Sequence, residues 1–245
     1  MKFTRLGNTL LATLFLLPST QVAAEAKDFW TAVSSGSPSV QVRPRYEYVD
    51  QDGLPKSAKA LTVRMMVGYT TASFKDFKAS LELDAVETPG TPKFNNTKNG
   101  KTDYPVVADP EDAGINEAWL SYAGVDNTML KLGRQAIALD NQRFVGPVGW
   151  RQNETTVDAL RITSTPMDKL TLDYAYVSKV HRLFGKDHPG DCSSGPACAI
   201  YEMSSHLIHG QYQHPLATVT GYAYLLEFDK LTARSQATVG GFATG

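Results

Sequence analysis

The sequence has little net charge, two cysteines and no long apolar segment after its first 24 residues. The formal net charge is -1 at pH 7, so charge gives no support for binding to nucleic acid. A membrane-spanning helix needs about 20 consecutive apolar residues. The chain beyond residue 24 contains no such segment. These absences argue against a nucleic-acid-binding protein and against a helical membrane protein.

The N-terminal segment has the three parts of a secretion signal. Lys2 and Arg5 make its beginning basic, a short apolar run follows, and Ala24 closes a small-residue cleavage motif. Cleavage two residues later fits the same pattern. The apolar run is too short to span a bilayer as a helix. We therefore expect a cleaved signal peptide, residues 1–24, followed by one exported domain, residues 25–245.

The exported part consists of short segments in which apolar and polar residues alternate. In residues 39–50, Val42 and Tyr46 fall on one face while Arg43 and Glu47 fall on the other, because side chains alternate across a strand. The pattern recurs in residues 59–70, 77–86, 115–123, 129–137, 156–163, 169–180, 205–213, 217–228 and 236–245. We therefore predict an all-β chain of nine strands and the beginning of a tenth.

The connections between these segments alternate in length. Tight turns lie at residues 71–76, 123–127, 165–169 and 214–215, and longer connections lie at residues 50–57, 88–114, 140–154 and 181–203. Outer-membrane barrels have short periplasmic turns and long extracellular loops. A soluble β-sandwich would share the alternation of side chains but not this rhythm of connections. We therefore predict an antiparallel transmembrane β-barrel with lipid outside and a charged lumen inside.

The middle of the chain carries a more specific pattern. It reads Gly-Arg-Gln at 133–135, Arg-Phe-Val-Gly at 143–146, Trp-Arg-Gln at 150–152 and Asp-Ala-Leu at 158–160. Together with Arg-Pro-Arg-Tyr-Glu-Tyr at 43–48, this resembles the alginate-export family of outer-membrane porins. The resemblance runs from about residue 39 to the end of the sequence. It implies a monomeric barrel of eighteen antiparallel strands that passes an anionic polyuronate through an arginine-lined pore.

The predicted strands amount to about half of such a barrel. The sequence ends in Gly-Gly-Phe-Ala-Thr-Gly, without the terminal aromatic residue that usually closes the last strand of these porins. An open half-barrel would leave backbone groups unpaired in lipid, which is energetically prohibitive. We therefore expect either the N-terminal half of a longer porin or a chain that pairs with a second chain to close.

The polar faces of the strands, together with one long loop, provide candidate pathway residues of both signs. The cations are Arg43, Arg45, Arg64, Lys131 and Arg161 by strand parity, with Arg143 and Arg151 in the loop, and the acids are Glu82, Asp84 and Glu117. Arg134 falls on the lipid side by simple alternation, whereas the resemblance implies a lumenal position, which requires a bulge after Gly133. Rings of arginine or lysine select anions. Arginines that pair with acids only brace the wall, and both interpretations stay open here.

These residues predict a function in transport. We expect a porin for passive or facilitated diffusion of anionic solutes, such as alginate-like uronates or small organic acids. It needs no cofactor, and its surroundings are outer-membrane lipid. Two alternatives stay open: an outer-membrane lipase-type enzyme that uses Ser204 and His206, and a surface protein whose long loops bind a partner.

The cysteines and histidines predict no metal site. Cys192 and Cys198 lie close together in an exported chain, which favours a disulfide within one loop. The histidines and cysteines show no known zinc-binding spacing.

Overall fold

The computed structural model describes residues 10–11, 14–15, 25–186, 188 and 198–245. Within these residues no helix is long and apolar enough to cross a membrane. A six-residue helix, α1, covers Phe29–Ser34. Asp28 is its N-cap, and its side chain accepts from the backbone N–H of Thr31 at 2.8 Å. A 3-10 turn covers Thr232–Arg234.

Ten longer strands make up the described sheet, and each pairs antiparallel with the next one in the sequence. The strands are β1 (Ser37–Val49), β2 (Ala58–Thr70), β3 (Phe77–Glu87), β4 (Asp112–Val125), β5 (Thr128–Gln135), β6 (Thr156–Met167), β7 (Leu170–His181), β8 (Ile200–His214), β9 (Ala217–Leu226) and β10 (Gln236–Thr244). This order confirms the predicted all-β antiparallel architecture.

The sheet is open within the described part of the chain. β10 pairs only with β9, and the other edge of β1 pairs with two short segments, Leu10–Leu11 and Leu14–Phe15. The predicted incomplete barrel is therefore what the structure shows. The cleavage of residues 1–24 stays a prediction.

The burial pattern of the strands is the reverse of that in a soluble sheet. On β2, Leu61, Met65 and Val67 are 44%, 52% and 54% exposed, while Thr62 and Arg64 are 1% and 2% exposed. A soluble protein would bury the apolar residues and expose the arginine. No second sheet packs on this apolar face in the described residues. The outer face of the sheet therefore has the composition of a surface that meets lipid.

The connections keep the predicted rhythm. The turns at 126–127, 168–169 and 215–216 are tight, and Asn127 and Lys169, each the second residue of its turn, have positive φ values. The connections at 88–111, 136–155 and 182–199 are long and leave the opposite end of the sheet.

Two strands begin earlier than the sequence predicted. β4 begins at Asp112 instead of residue 115, and β8 begins at Ile200 instead of residue 205. A β-bulge interrupts the register in both strands, opposite Glu82 in one and after Glu202 in the other. A bulge shifts the alternation of side chains by one residue, so the simple period-2 pattern stops there.

The inner face of the sheet has two unlike halves. The inner faces of β1, β2 and β3 carry charged side chains, whereas those of β6 to β9 carry an apolar cluster that two residues of the 136–155 loop complete. The cluster consists of Ile137, Leu139, Ala159, Ala175, Val177, Leu207 and Tyr224. Cys198 is buried and disulfide-bonded, while its predicted partner Cys192 lies outside the described residues.

Candidate functional site

Three buried arginines define the charged half of the inner face. Arg43 and Arg45 on β1 and Arg64 on β2 are 7%, 3% and 2% exposed. Their inward direction follows from strand alternation, as predicted. Arg43 lies directly opposite Arg64 in the antiparallel register. Like charges in directly opposed positions repel each other, so this arrangement needs acceptors from elsewhere in the chain.

The 136–155 loop supplies the acceptors for Arg43. The Nε of Arg43 donates to Oε1 of Gln152 at 3.0 Å, and its guanidinium also donates to the backbone carbonyls of Gly149, at 2.7 Å, and Arg151. Gln152 is fully buried, and its Nε2 donates back to the carbonyl of Arg43 and to the hydroxyl of Thr62. The loop therefore lies in the lumen against β1 and β2, and each of the three guanidinium nitrogens of Arg43 donates one hydrogen bond to it.

Arg45 connects the 88–111 loop with the 136–155 loop. It donates to Oδ2 of Asp109 at 3.0 Å and to the carbonyl of Trp150 at 3.0 Å, and it forms an ion pair with Glu47. Asp109 comes from the 88–111 loop and is fully buried. Arg151 approaches Glu47 at 3.2 Å and Asp109 at 3.6 Å. Two guanidinium groups and two carboxylates therefore form a closed ion-pair network.

A second network surrounds Arg64. This side chain pairs with Asp84 at 3.3 Å and with Glu154 at 3.0 Å. The amide of Asn116 donates to Glu154 at 2.6 Å and to Glu82 at 2.7 Å. Asn116 faces inward because the bulge in β4 puts it on the same side as its polar neighbours. Glu154 thereby ties the end of the 136–155 loop to β2 and β4.

The remaining predicted cations divide into paired and unpaired groups. Arg161 forms an ion pair with Asp173 at 2.6 Å. Lys131 lies 4.3 Å from the ring centroid of Trp119 and has no carboxylate within ion-pair distance among the described residues. The carboxylate of Glu117 accepts from Nε1 of Trp119 at 2.9 Å and from the backbone N–H that follows β5. Lys131 is therefore held by an aromatic face and not by an acid.

Arg143 lies at the tip of the 136–155 loop. The tip is closed by backbone hydrogen bonds from Leu139 to Val145 and from Gln142 to Leu139, and it is tied to β8 by Asp140, whose Oδ1 lies 2.9 Å from Nε2 of His209. Among the described residues, the exposed side chain of Arg143 has no carboxylate within ion-pair distance.

Aromatic side chains surround this tip. Phe144 packs against Tyr222 and Tyr224, with ring centroids 5.5 Å and 6.4 Å away, and the two tyrosines stack on each other at 4.8 Å. An accessible cation thus lies beside an apolar, aromatic surface. Trp150, further along the loop, is 58% exposed and carries the guanidinium of Arg151 on its ring at 4.2 Å.

Arg134 requires a correction to the prediction. The register runs without a shift through Gly133, so the expected bulge is absent. Gly133 instead has a φ of +122°, and a Cβ there would lie 2.3 Å from the carbonyl oxygen of Ala118. β5 ends at Gln135, and its pairing with β4 begins only at Ala118. The first residues of β4, from Asp112 onward, therefore have no partner on β5, and a gap opens in the wall there. Arg134 lies at this gap.

The guanidinium of Arg134 bonds to both sides of the gap. It donates to the carbonyl of Ile115 on β4 at 3.2 Å and pairs with Asp158 on β6 at 2.9 Å. Asp158 also lies 2.9 Å from Nε2 of His181. A small polar cavity of about 70 Å³ is left beside this cluster. Arg134 is therefore a bridge within the wall.

We expect Arg134→Met to lower the free energy of unfolding by about 1–3 kcal/mol, since it leaves polar groups at the gap without their partner. Urea unfolding of the protein in lipid vesicles, followed by tryptophan fluorescence, measures this loss. Lys179→Met is the matched control, because Lys179 lies opposite Asp158 in β7 and is exposed. An equal loss in both variants would show that Arg134 is an ordinary surface charge.

The alternative enzymatic site is not assembled. The hydroxyl of Ser204 donates to Asp229 at 3.2 Å, while Nδ1 of His206 lies 2.9 Å from the hydroxyl of Tyr174. Ser204 and His206 therefore have separate partners. No group of three or more histidine, cysteine, aspartate or glutamate side chains in the described residues is placed to hold a metal ion.

Several residues of the site were missed by the sequence analysis. Gln152, Glu154, Asp109 and Asn116 complete the networks, but none of them belongs to the alternating face of a strand in the predicted phase. Within the Trp-Arg-Gln motif at 150–152, only Arg151 was predicted as a pathway residue, and the contact of Gln152 with β1 joins residues more than a hundred positions apart.

Two solved structures share this fold. OccD3 (OpdP) of Pseudomonas aeruginosa matches with a TM-score of 0.51 and 15% identity over 79% of this chain and 41% of its own. OccAB1 of Acinetobacter baumannii matches with a TM-score of 0.56 and 15% identity over 82% of this chain and 46% of its own. The fold is that of an outer-membrane porin barrel. The chain spans less than half the length of both structures.

Comparisons of the sequence with protein-family models and with curated proteins found no match. The two similar structures confirm the predicted porin-type barrel as a fold. The two similar structures are not alginate-export proteins, so membership in that family stays a prediction.

Proposed function

We propose that the full-length protein is an outer-membrane porin of a Gram-negative bacterium that lets anionic solutes diffuse passively or with facilitation. The observation that carries this proposal is the inward-folded 136–155 loop, which narrows a polar lumen and leaves Arg143 accessible at its tip. Fixed positive charge beside a narrow aqueous path favours the passage of anions. The porin fold supports the same interpretation.

The buried arginines serve as structural supports in this proposal. Arg45, Arg64 and Arg151 are paired with Glu47, Asp84, Asp109 and Glu154, and Arg43 is bonded to the loop. Arg43, Arg45 and Arg64 are also buried, so a passing carboxylate has little access to them. Selectivity therefore rests on Arg143 and Lys131, the two predicted pathway cations that are not buried and have no acidic partner among the described residues.

The surroundings of Arg143 support small organic acids over polymeric uronates. Phe144, Tyr222 and Tyr224 offer apolar area next to the guanidinium. A small acid with an apolar body can contact both the charge and the rings. A long hydrophilic chain needs polar contacts along its whole length, and the apolar cluster of β6 to β9 offers few of them.

We expect Arg143→Gln to shift the reversal potential in a salt gradient toward cation preference, because one accessible positive charge leaves the lumen. The measurement uses the full-length protein in a planar bilayer. Lys75→Gln is the matched control: it removes the same charge from the tight turn before β3. An unchanged reversal potential in both Arg143→Gln and Lys131→Gln would contradict anion selection by these cations.

A further inference from the structure

The 88–111 loop is fixed to the wall by its own apolar contacts. Phe94 and Val107 are fully buried and pack against Ala58 and Ala60 on the inner face of β2. Prolines 105 and 110 are buried beside them. A loop with a small core and buried prolines has little conformational freedom. It can therefore serve as a rigid support for groups that it carries toward the lumen.

Asp109 is the acidic group that the 88–111 loop brings to the 136–155 loop. Its Oδ1 accepts from the backbone N–H of Gln152 at 2.9 Å, and its Oδ2 accepts from Arg45 at 3.0 Å. The adjacent Pro110 carbonyl accepts from Nδ2 of Asn153 at 2.7 Å. Asp109 thus binds the 136–155 loop through a main-chain bond and through the arginine that holds the same loop.

The charges around Asp109 make it hard to replace. Arg45 and Arg151 are balanced by Glu47 and Asp109, and Asp109 is fully buried. Removing its charge leaves two guanidinium groups, the buried one of Arg45 and the partly buried one of Arg151, with one carboxylate. Breaking a buried ion pair from one side is costly, because the remaining charge has lost its partner. The network therefore opposes release of the loop from the wall.

We propose that Asp109 is the positioning residue that holds the 136–155 loop across the lumen and thereby fixes where Arg143 lies. The two loops are joined at this carboxylate and at the adjacent Pro110 carbonyl. The consequence for solute selection rests on the proposed function, whereas the tethering of the loop does not. Asp109 itself is buried and touches no solute.

The first test is trypsin cleavage at Arg143 and Arg151 in the folded, vesicle-embedded full-length protein. We expect Asp109→Asn to speed cleavage of the loop about tenfold, because a tether worth one factor of ten in local opening is lost. Asp109→Glu keeps the charge and should restore protection to within about threefold. Asp103→Asn is the matched control: it lies in the same loop in an exposed pair with Lys56 and should leave cleavage unchanged.

Comparison of the variants separates tethering of the loop from general stability. Wild-type cleavage rates in Asp109→Asn would overturn the proposal, as would equal acceleration in Asp103→Asn. If Asp109→Asn fails to fold, Asn153→Ala removes the neighbouring loop-to-loop bond. It should also speed cleavage, and unchanged cleavage would then overturn the proposal.

Conductance tells the two proposals apart. If the protein conducts with anion preference but the loop of Asp109→Asn stays protected from trypsin, the proposed function stands and the tether is refuted. If Asp109→Asn is cleaved faster but the protein conducts no ions, the tether stands and the proposed function is refuted.

Discussion

Replacing Arg64 with glutamine is expected to lower the free energy of unfolding by about 3–5 kcal/mol, the usual cost of breaking a buried ion pair from one side. Arg64 is 2% exposed and is the cation that Asp84 and Glu154 share. Without it, two carboxylates face each other across the junction between the loop and the wall. Urea unfolding in lipid vesicles, read by tryptophan fluorescence, measures the change.

The matched control for this prediction is Lys56→Gln. Lys56 pairs with Asp103 at 3.0 Å, the same distance as between Arg64 and Glu154. The side chains of Lys56 and Asp103, however, are 50% and 58% exposed. Exposed ion pairs contribute about 0–1 kcal/mol, so the control should change stability little. Equal small losses in both variants would contradict the view that the inner arginines brace the barrel.

This result bears on how the lumen is interpreted. The sequence left open whether the inward arginines select solutes or brace the wall. The structure places Arg43, Arg45 and Arg64 in buried hydrogen-bond and ion-pair networks that include the inward-folded loop. Bracing therefore explains these three residues. Arg143 differs from them because it extends from the loop tip, where no wall acid of the described residues reaches it.

Strand positions were predictable because lipid imposes a strict alternation of side chains. The alternation holds along β2 and along β7 as far as Val177: Leu172 on β7 is 44% exposed, and its neighbour Asp173 is 6% exposed. The tight turns were predictable for a similar reason, since few residues can reverse a strand within two positions. Both signals are local in the sequence.

The networks of the candidate site were not predictable, because their partners lie far apart. Gln152 meets Arg43 across 109 positions, and Arg64 meets Glu154 across 90. Loop residues follow no periodic pattern, so their direction cannot be inferred from neighbours. The position of Arg134 was not predicted for a related reason. The early end of β5 leaves a gap in the wall, and alternation alone gives no sign of where a strand stops pairing.

The two unlike halves of the inner face give the 136–155 loop its position. One end of the loop is fixed to charged strands by Gln152 and Glu154, and the other end packs Ile137 and Leu139 on the apolar cluster. A loop attached at both ends by different forces crosses the lumen without needing a helix or strand of its own. The polar attachment gives direction, and the apolar attachment contributes burial.

A charge on the outer face provides the sharpest test of the membrane assignment. Leu132 is 59% exposed and lies between Leu120 and Leu160, which it opposes on the neighbouring strands. In lipid, an arginine near the bilayer midplane costs about 2–4 kcal/mol. In water, the same exposed position would accept arginine with almost no change. We therefore expect Leu132→Arg to destabilise the vesicle-embedded protein by about 2–4 kcal/mol in urea unfolding.

Leu216→Arg is the matched control for this change. Leu216 is 82% exposed, more than Leu132, but it lies in the tight turn between β8 and β9. Charges near the membrane rim cost about 0–1 kcal/mol, so this variant should unfold almost like the wild type. If both side chains met water, both substitutions would be almost neutral, because both positions are largely exposed. The difference between them therefore measures the solvent on each side chain, and a small, equal effect in both would mean that the outer face of β5 meets water.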